Sequence, residues 1–478
     1  MAGASAIPEN TARFRLDAVA SICGGTLAGS GETEVRGVVT DSRADTRGKL
    51  FVALSGERYD GHDYVSAALR GGARALLVER DIGEVPVPVV RVASTLAALG
   101  ALGRAHRERW GGTLVAVAGS AGKTTTRTAV SAALDAVLPG QVHFARGNLN
   151  NLIGVPLVLL GLGAEQRAAA VEIGTNAPGE VAALTELAQP NAGILTVIGI
   201  EHSAGLGSIE RIEAEEAGLF DRLGPGAAAL GNLDDERVRR RLLGAKTRVR
   251  VGYGFGEGAQ YRILWRDEGN VARSRLVVAR PDGEPLSVDN PFLGRPGAYA
   301  VAAAVAAAET ALGTALAPGA FELAFERLGG LEPGRLTPLE LQNGVLVLDD
   351  TYNSNPASLK SSVATAHEVA RARSGRLWLV LGEMRELGDD SPRLHREAGE
   401  TLLDFPAACV ISLGGEARWL LEPFERAGVP AHSLESYGAV QFLAQNLRPR
   451  DVVLVKASRG VRGERVVEGL IDKLGRAG

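Results

Sequence analysis

The chain has 478 residues, 45% hydrophobic and 23% charged, an ordinary globular composition whose length exceeds what one core serves, so roughly two to four domains are expected. A formal charge of −4 supplies no general pull toward nucleic acid or anionic membrane. Two cysteines, Cys23 and Cys409, make no disulfide framework or metal spacing; no basic-then-apolar leader opens the chain and no uncharged apolar stretch nears the roughly 18 residues of a membrane span, so a cytoplasmic protein is expected.

Residues 1–93 hold short apolar runs that read as strands, GVVTDSR, KLFVAL and ARALLVE, with the helical stretch DYVSAALRGG between the last two. They form a small α/β unit that ends near VPVPVV. A second block, residues 94–329, begins with a helix over LAALGALGRAHRERW. TLVAVA then reads as a buried strand running into a glycine turn and a helix, on which Ala129, Val130, Ala133, Leu134, Val137 and Leu138 recur at helical spacing. The strand-like runs RAAAVEIG, AGILTVIG and GAAALGN follow, and the alanine-rich helix AYAVAAAVAAAETALG closes the block. Such alternation predicts a mainly parallel, doubly wound sheet, to which YRILWRDEGNVARSRLVVARPDGEPLSV adds antiparallel hairpins. Residues 330–478 alternate again through GVLVLDD, RLWLVLGE, ACVISLGG and DVVLVKAS, a Rossmann-like block. The fold class is α/β in three domains.

VAVAGSAGKTTTRTAV, residues 115–130, carries the clearest chemistry. In a phosphate loop, Gly119, Ser120, Ala121 and Gly122 let successive backbone N–H groups converge on phosphate oxygens, and the next helix adds its positive end. Lys123 would reach the β- and γ-phosphates, and the Thr124 hydroxyl, with Thr125 beside it, would meet Mg²⁺. The longer G-x-x-x-x-G-K-[ST] pattern wants glycine where this chain has Val117, so by pattern alone the match is incomplete. An ordinary strand–helix turn is the rival.

The compact G-[ST]-x-G-K-[ST] loop resembles that of the Mur ligases, ATP-dependent enzymes that add amino acids to the peptidoglycan precursor. TDSRADTRGKLFVALSGERYDGHDYVSAALRGGA is similar to the UDP-sugar-binding domain of the later family members. RGNLNNLIGVPLVLL and VEIGTNAPGEVAAL follow the family order. LDDTYNSNPASL, LGEMRELGDDSPRLHREAG and LVKASRGVRGERVV fit the branch that adds D-alanyl-D-alanine. The resemblance runs nearly the full length. It implies ATP, UDP-MurNAc-tripeptide and D-Ala-D-Ala as reactants, an acyl-phosphate intermediate, ADP and phosphate as products, two Mg²⁺ ions and a monomer, with a UDP-sugar domain, a central ATP domain and a C-terminal ligand-binding domain. A tripeptide-forming or repurposed Mur-type ligase, a folylpolyglutamate synthase, or a silent precursor-binding homologue are the rivals. Retention of Lys123, Thr124, Glu172 and His202 favours an enzyme.

The resemblance also assigns residues. Glu172 and His202 match the family's Mg²⁺ ligands, against a solvent-facing carboxylate and a structural histidine. Asn148 and Asn151 would bond phosphates or a substrate carboxylate, unless they only shape a polar loop. Arg335 would meet the nucleotide phosphates across the domain interface. Asp350 would hold the ATP ribose, although Asp349 beside it competes for the role. Tyr352, Asn353 and Asn355 shape the same loop, and Lys456, Ser458 and Arg459 are candidates for the D-Ala-D-Ala carboxylate or for structural contacts. Asp41, Ser42, Arg43, Ser55 and Gly56 would hold the UDP-sugar, with Asp60-Gly61-His62 as a supporting turn.

Two departures stand out. The family's carbamylated lysine is matched by Glu216, and no lysine occurs between Lys123 and Lys246. Glu216 is therefore expected to provide the metal-facing charge directly, with Glu213 and Glu215 as neighbours that a one-residue slip would confuse with it. Where the family shows His-Asn and a further Asn near the nucleotide, this chain has Pro296, Gly297 and Ala300.

Overall fold

The computed structural model describes residues 9–56, 59–199, 207–266, 274–281 and 283–477. A nine-stranded sheet runs, from one edge, Gly283–Asn290, Ser274–Arg280, Tyr261–Arg266, Val249–Gly254, Ala228–Asn232, Ala192–Leu195, Thr113–Ala118, Ala168–Glu172 and Val142–His143. Every pairing is parallel except the two within residues 261–290, which are antiparallel as the broken rhythm predicts. The central strands are continuous apolar runs because helices cover both faces and leave no solvated side.

Chain order reverses around Thr113–Ala118, whose neighbours Ala168–Glu172 and Ala192–Leu195 carry the chain outward in opposite directions. Such a switch point leaves a crevice outside the carboxyl ends of the strands. The helices Lys123–Val137 and Gly294–Leu312 pack closely on one face; alanines at 302–304 and 306–308 are buried and let the backbones approach.

The first block forms a five-stranded sheet, Thr26–Ala28, Val89–Arg91, Ala75–Val78, Leu50–Val52 and Val38–Val39, parallel save the first pair. A two-stranded ribbon, Arg13–Arg15 with Glu34–Arg36, sits beside it. Helix Thr95–Trp110 joins this block to the next, since Ala98, Leu99 and Leu102 share one apolar core with Leu50, Val52, Leu157 and Leu160.

The last block is a six-stranded sheet ordered Thr337–Glu340, Leu346–Asp350, Val452–Lys456, Leu377–Leu381, Cys409–Ser412 and Ala431–Ser433, with only the first pair antiparallel. Its helix Pro356–Ala372 packs on the central block so tightly that a Cβ at Gly294 would lie 2.3 Å from Thr365 Oγ1. Arg266 also donates to Glu368 Oε2 at 3.0 Å across this contact. Among the described residues no helix is long and apolar enough to cross a membrane.

Candidate active site

The glycine turn leaves the carboxyl end of Thr113–Ala118 at the switch point. Gly119 has φ +124°, and a Cβ there would lie 2.2 Å from Thr196 Oγ1, so only glycine lets the loop pass the neighbouring strand end. Gly122, at φ +81°, then starts the helix Lys123–Val137. Thr196 Oγ1 donates to Ala121 O at 2.7 Å, and Ser120 N–H to Val197 O at 2.8 Å, fixing the loop from beneath. Lys123 Nζ folds back onto Gly119 O at 2.5 Å. The Ser120 N–H, and the Gly119 N–H taken by Glu216, are thus spent inside the protein rather than on phosphate as the loop pattern predicts, so the cradle for an oxyanion is formed by the end of the loop and the first turn of the helix, with a cation on its rim.

Carboxylates meet the cradle from two sides. Glu172, at the end of the adjacent strand and 4% exposed, accepts from Thr124 Oγ1 at 2.7 Å and from Asn150 Nδ2 at 2.8 Å. Arg127, one turn beyond Lys123, brings its Nε within 3.9 Å of Glu172 Oε2 and bonds Ala145 O and Glu332 Oε1. Glu216, fully buried, accepts the Gly119 N–H at 2.7 Å. Its neighbours face elsewhere. Glu215 accepts from Gly179 N and Val181 N at 2.6 and 2.9 Å, capping the helix Glu180–Ala188, while Glu213 pairs with Arg240 and Arg241 at 2.6 and 2.8 Å.

The third sheet supplies the opposite wall. Asp350 and Lys456 are register partners on adjacent parallel strands, and their side chains pair at 2.6 Å; Ser362 Oγ also donates to Asp350 at 2.6 Å. Asp349 turns away to Thr351 Oγ1 at 2.7 Å, and burial raises its carboxyl above the usual range. Lys456 Nζ bonds Asn353 O at 3.0 Å and Ser458 Oγ bonds Ser354 O at 3.3 Å, shaping the loop 350–355. Asn355 caps the helix Pro356–Ala372 through Ser358 N at 2.8 Å, and its Nδ2 donates to Ser120 O at 3.3 Å, tying this loop to the phosphate loop. Arg335 lies 3.9 Å and Arg459 5.0 Å over the Tyr352 ring. Between the walls is a cavity of about 520 Å³, lined among others by Lys123, Thr124, Glu172, Arg335, Asp350 and Tyr352.

Family models describe three parts of this chain: "Mur ligase family, catalytic domain" at residues 34–107, "Mur ligase middle domain" at 117–308, and "Mur ligase, glutamate ligase domain" at 334–459. The UDP-N-acetylmuramoyl-tripeptide--D-alanyl-D-alanine ligase of Escherichia coli is 31% identical over 95% of this chain and 98% of its own length. The enzyme of the same name from Bacillus subtilis is 30% identical over 95% and 97%. The chain belongs to the Mur ligase family. Among solved structures, MurF from Acinetobacter baumannii superposes with a TM-score of 0.86 at 28% identity, covering 96% of this chain and 99% of that one. MurF ligase from Thermotoga maritima in complex with ADP gives 0.79 at 28% identity, covering 91% and 97%.

In this Mur ligase the residues expected at the phosphate end, Ser120 to Thr125 with Asn148 and Glu172, come together around one cavity with Arg335, Asp350, Tyr352, Asn353, Asn355 and Lys456, while Gly119 lies behind the lining, against Thr196 and Glu216. Asn151 instead caps the helix Gly154–Leu160, accepting from Ile153 N and Gly154 N at 3.1 and 2.8 Å. Its neighbour Asn150 is the one that reaches Glu172. Asp41, Ser42, Arg43, Ser55 and Gly56 lie in the loops of the first sheet and do not line this cavity. There Asp41 pairs with Arg43 at 2.7 Å, and Ser55 Oγ donates to Glu79 Oε2 at 3.3 Å. His62, with Asp60 at 2.6 Å on Nδ1, accepts the Glu79 N–H at 2.9 Å on Nε2 and fixes the same loop. His202 lies outside the described residues.

Two further contacts have no motif behind them. Arg127 carries one faint signal, a basic residue in the run of mostly small, buried residues that opens the helix. Asn150 carried none, being one asparagine of three in RGNLNN. Among the described residues no three His, Cys, Asp or Glu side chains form a metal cluster. The donors Glu172 and Thr124 nevertheless suit Mg²⁺, a hard cation that takes one or two carboxylates and completes its shell with water and phosphate oxygens.

Proposed function

We propose that this chain is an ATP-dependent amide ligase that joins D-Ala-D-Ala to UDP-MurNAc-tripeptide, with release of ADP and phosphate. The observation that carries the reading is full-length similarity to ligases of that name, in a molecule whose phosphate loop faces the loop 350–355 across one cavity. Residues 94–329 hold the ATP, residues 330–478 the dipeptide, and residues 1–93 the UDP-sugar through Asp41, Ser42, Arg43, Ser55 and Gly56. The work is done in the cytoplasm by a monomer.

The tripeptide carboxylate attacks the γ-phosphorus, the bond to the β-phosphate oxygen breaks, and ADP departs. The dipeptide amine then attacks the acyl carbon; it loses a proton, and phosphate leaves with the former carboxylate oxygen. Two anions must therefore be pressed together, which calls for concentrated, preorganised positive charge. Loop N–H groups, Lys123 and Arg335 supply it from this chain. Glu172 and Thr124, with Glu216 and His202, would hold Mg²⁺, which when bound neutralises charge on the phosphates. Glu216 takes the position of the family's carbamylated lysine and needs no CO₂. Closing the third block over the cavity excludes water, and holding the amine beside the activated acyl group is worth about 7–11 kcal/mol.

Phosphate release is measured with ATP, UDP-MurNAc-tripeptide and D-Ala-D-Ala, each omitted in turn. Release is expected only with all three, and hydroxylamine should trap an acyl species when the dipeptide is left out. Cleavage of ATP to AMP, or release indifferent to D-Ala-D-Ala, would overturn the reading. Pro296 and Gly297 line the cavity where the family shows His-Asn, so the same assay with GTP and UTP reads nucleotide preference.

A further inference from the structure

We propose that Tyr352 is a positioning residue, a ring that holds Arg335 and Arg459 as one oxyanion-gripping pair beside the cavity. This rests on the ligase reading above, which supplies the two anions concerned: the nucleotide phosphates and the dipeptide carboxylate. Tyr352 follows the strand Leu346–Asp350, and its N–H donates to Gly334 O at 3.1 Å. Gly334 has φ +75°, and a Cβ there would stand 3.2 Å from Tyr352 N, so the two backbones touch at this point. Arg335 is thereby delivered onto the ring, its guanidinium carbon 3.9 Å from the centroid. From the end of another strand, Val452–Lys456, Arg459 arrives 5.0 Å from the same centroid.

Charge accounting singles out this pair. Lys456, the cation at the end of the strand Val452–Lys456, is neutralised by Asp350 at 2.6 Å. Among the described residues neither Arg335 nor Arg459 has a carboxylate partner, and the buried Nε of Arg335 has no hydrogen-bond acceptor. Two like charges drawn to one place repel unless something negative lies between or beneath them. The face of an aromatic ring is such a surface, and it leaves the guanidinium N–H edges free for oxyanions. Loss of the ring should therefore weaken both anions together, while the phenolic hydroxyl, which forms no hydrogen bond among the described residues, should be dispensable.

The test compares Tyr352→Phe and Tyr352→Leu. Tyr352→Leu is expected to raise KM for ATP and for D-Ala-D-Ala about ten-fold each, with KM for UDP-MurNAc-tripeptide unchanged, whereas Tyr352→Phe should stay within about two-fold of the parent. Calorimetric binding of ADP should show the same ordering without turnover. A Leu variant with parental KM values and ADP affinity overturns the proposal, as does a Phe variant as impaired as Leu. Should Tyr352→Leu not fold, Arg459→Met is measured instead: a roughly ten-fold rise confined to KM for the dipeptide supports the pair, and no rise overturns it. A parent chain that binds ADP but forms no amide sinks the ligase reading, while the ADP affinities of the variants still judge Tyr352.

Discussion

Within one turn of the helix Ile209–Asp221 three carboxylates serve three different partners, and that division can be tested one side chain at a time. Glu215 holds a helix cap through two backbone N–H groups and the Thr175 hydroxyl, so Glu215→Gln replaces one acceptor oxygen by a donor that faces donors. It should cost about 1–3 kcal/mol of stability, seen as a lower melting midpoint, while kcat/KM of the folded enzyme stays close to parental. Glu216→Gln should do the reverse: kcat/KM falls at least about 100-fold because charge is lost where the phosphates are held, and melting changes little. Full activity in Glu216→Gln, or sensitivity of the parent to removal of CO₂, would show that Glu216 does not replace the carbamate. Partnerships of this kind lie beyond what a sequence spells out. In RGNLNN and IERIEAEEAGLF the candidate residues are adjacent and chemically alike, and a step of one residue turns a helical side chain by about 100°. The glycine turn, by contrast, is legible because its loop, its lysine and its helix are consecutive.

At the scale of elements, legibility follows burial. Strands such as Ala168–Glu172 and Leu377–Leu381 are buried on both faces and announce themselves as apolar runs, and the alternation around them gives the α/β class. The three-residue strands Thr26–Ala28 and Glu34–Arg36 are largely exposed, and like Val89–Arg91 they carry no run long enough to notice. Contacts between distant elements are likewise silent, and Gly294 is the clearest case. It opens the helix Gly294–Leu312 at φ +67°, and an added Cβ would meet Thr365 Oγ1 at 2.3 Å and Cγ2 at 2.7 Å. Gly294→Ala must therefore push the helix Pro356–Ala372 off the central block as well as strain its own backbone by about 1–2 kcal/mol. Both helices wall the cavity, so KM for ATP should rise about ten-fold, equivalent to about 1.4 kcal/mol of binding. Adding Thr365→Ala removes the two nearest obstructing atoms, leaving only Cβ at 3.0 Å, and should restore most of that KM, while the backbone strain persists as a lowered melting midpoint. A double variant no better than the single one would mean that contact between the helices does not set nucleotide affinity.

Across the whole molecule, buried and half-buried histidines tie stability to pH. Burial pushes His143 down from 6.5 to about 4, and it lowers His106, His367 and His395 as well. They are spread along the chain, from the helix Thr95–Trp110 through the edge strand Val142–His143 to the helices Pro356–Ala372 and Ser391–Leu402 of the last block. His395 shows why the neutral form is required: Nε2 accepts the Met384 N–H at 2.9 Å while Nδ1 lies 2.7 Å from Ser391 O, so neither nitrogen has room for an extra proton. Each folded value lies below that of the unfolded chain, so as pH falls past 6.5 the unfolded chain takes up protons that the folded one resists. Stability from these groups is complete above pH 6.5 and erodes toward about pH 4, with His143 alone accounting for about 3 kcal/mol over that interval. The Asp60 carboxylate belongs to a different window. The His62 backbone N–H, followed by its ring, holds it near 2, so its contribution is kept down to pH 3.8 and lost only beneath. Melting midpoints between pH 8 and 4 should therefore fall mainly below 6.5, and His143→Leu, which keeps the bulk and removes the titrating ring, should fall less steeply. If that variant instead followed the parent curve throughout, His143 could not be a source of the acid lability, which would then have to originate at His106, His367 or His395; at His395, loss of the Met384 bond would release the loop that carries Glu386 into the cavity.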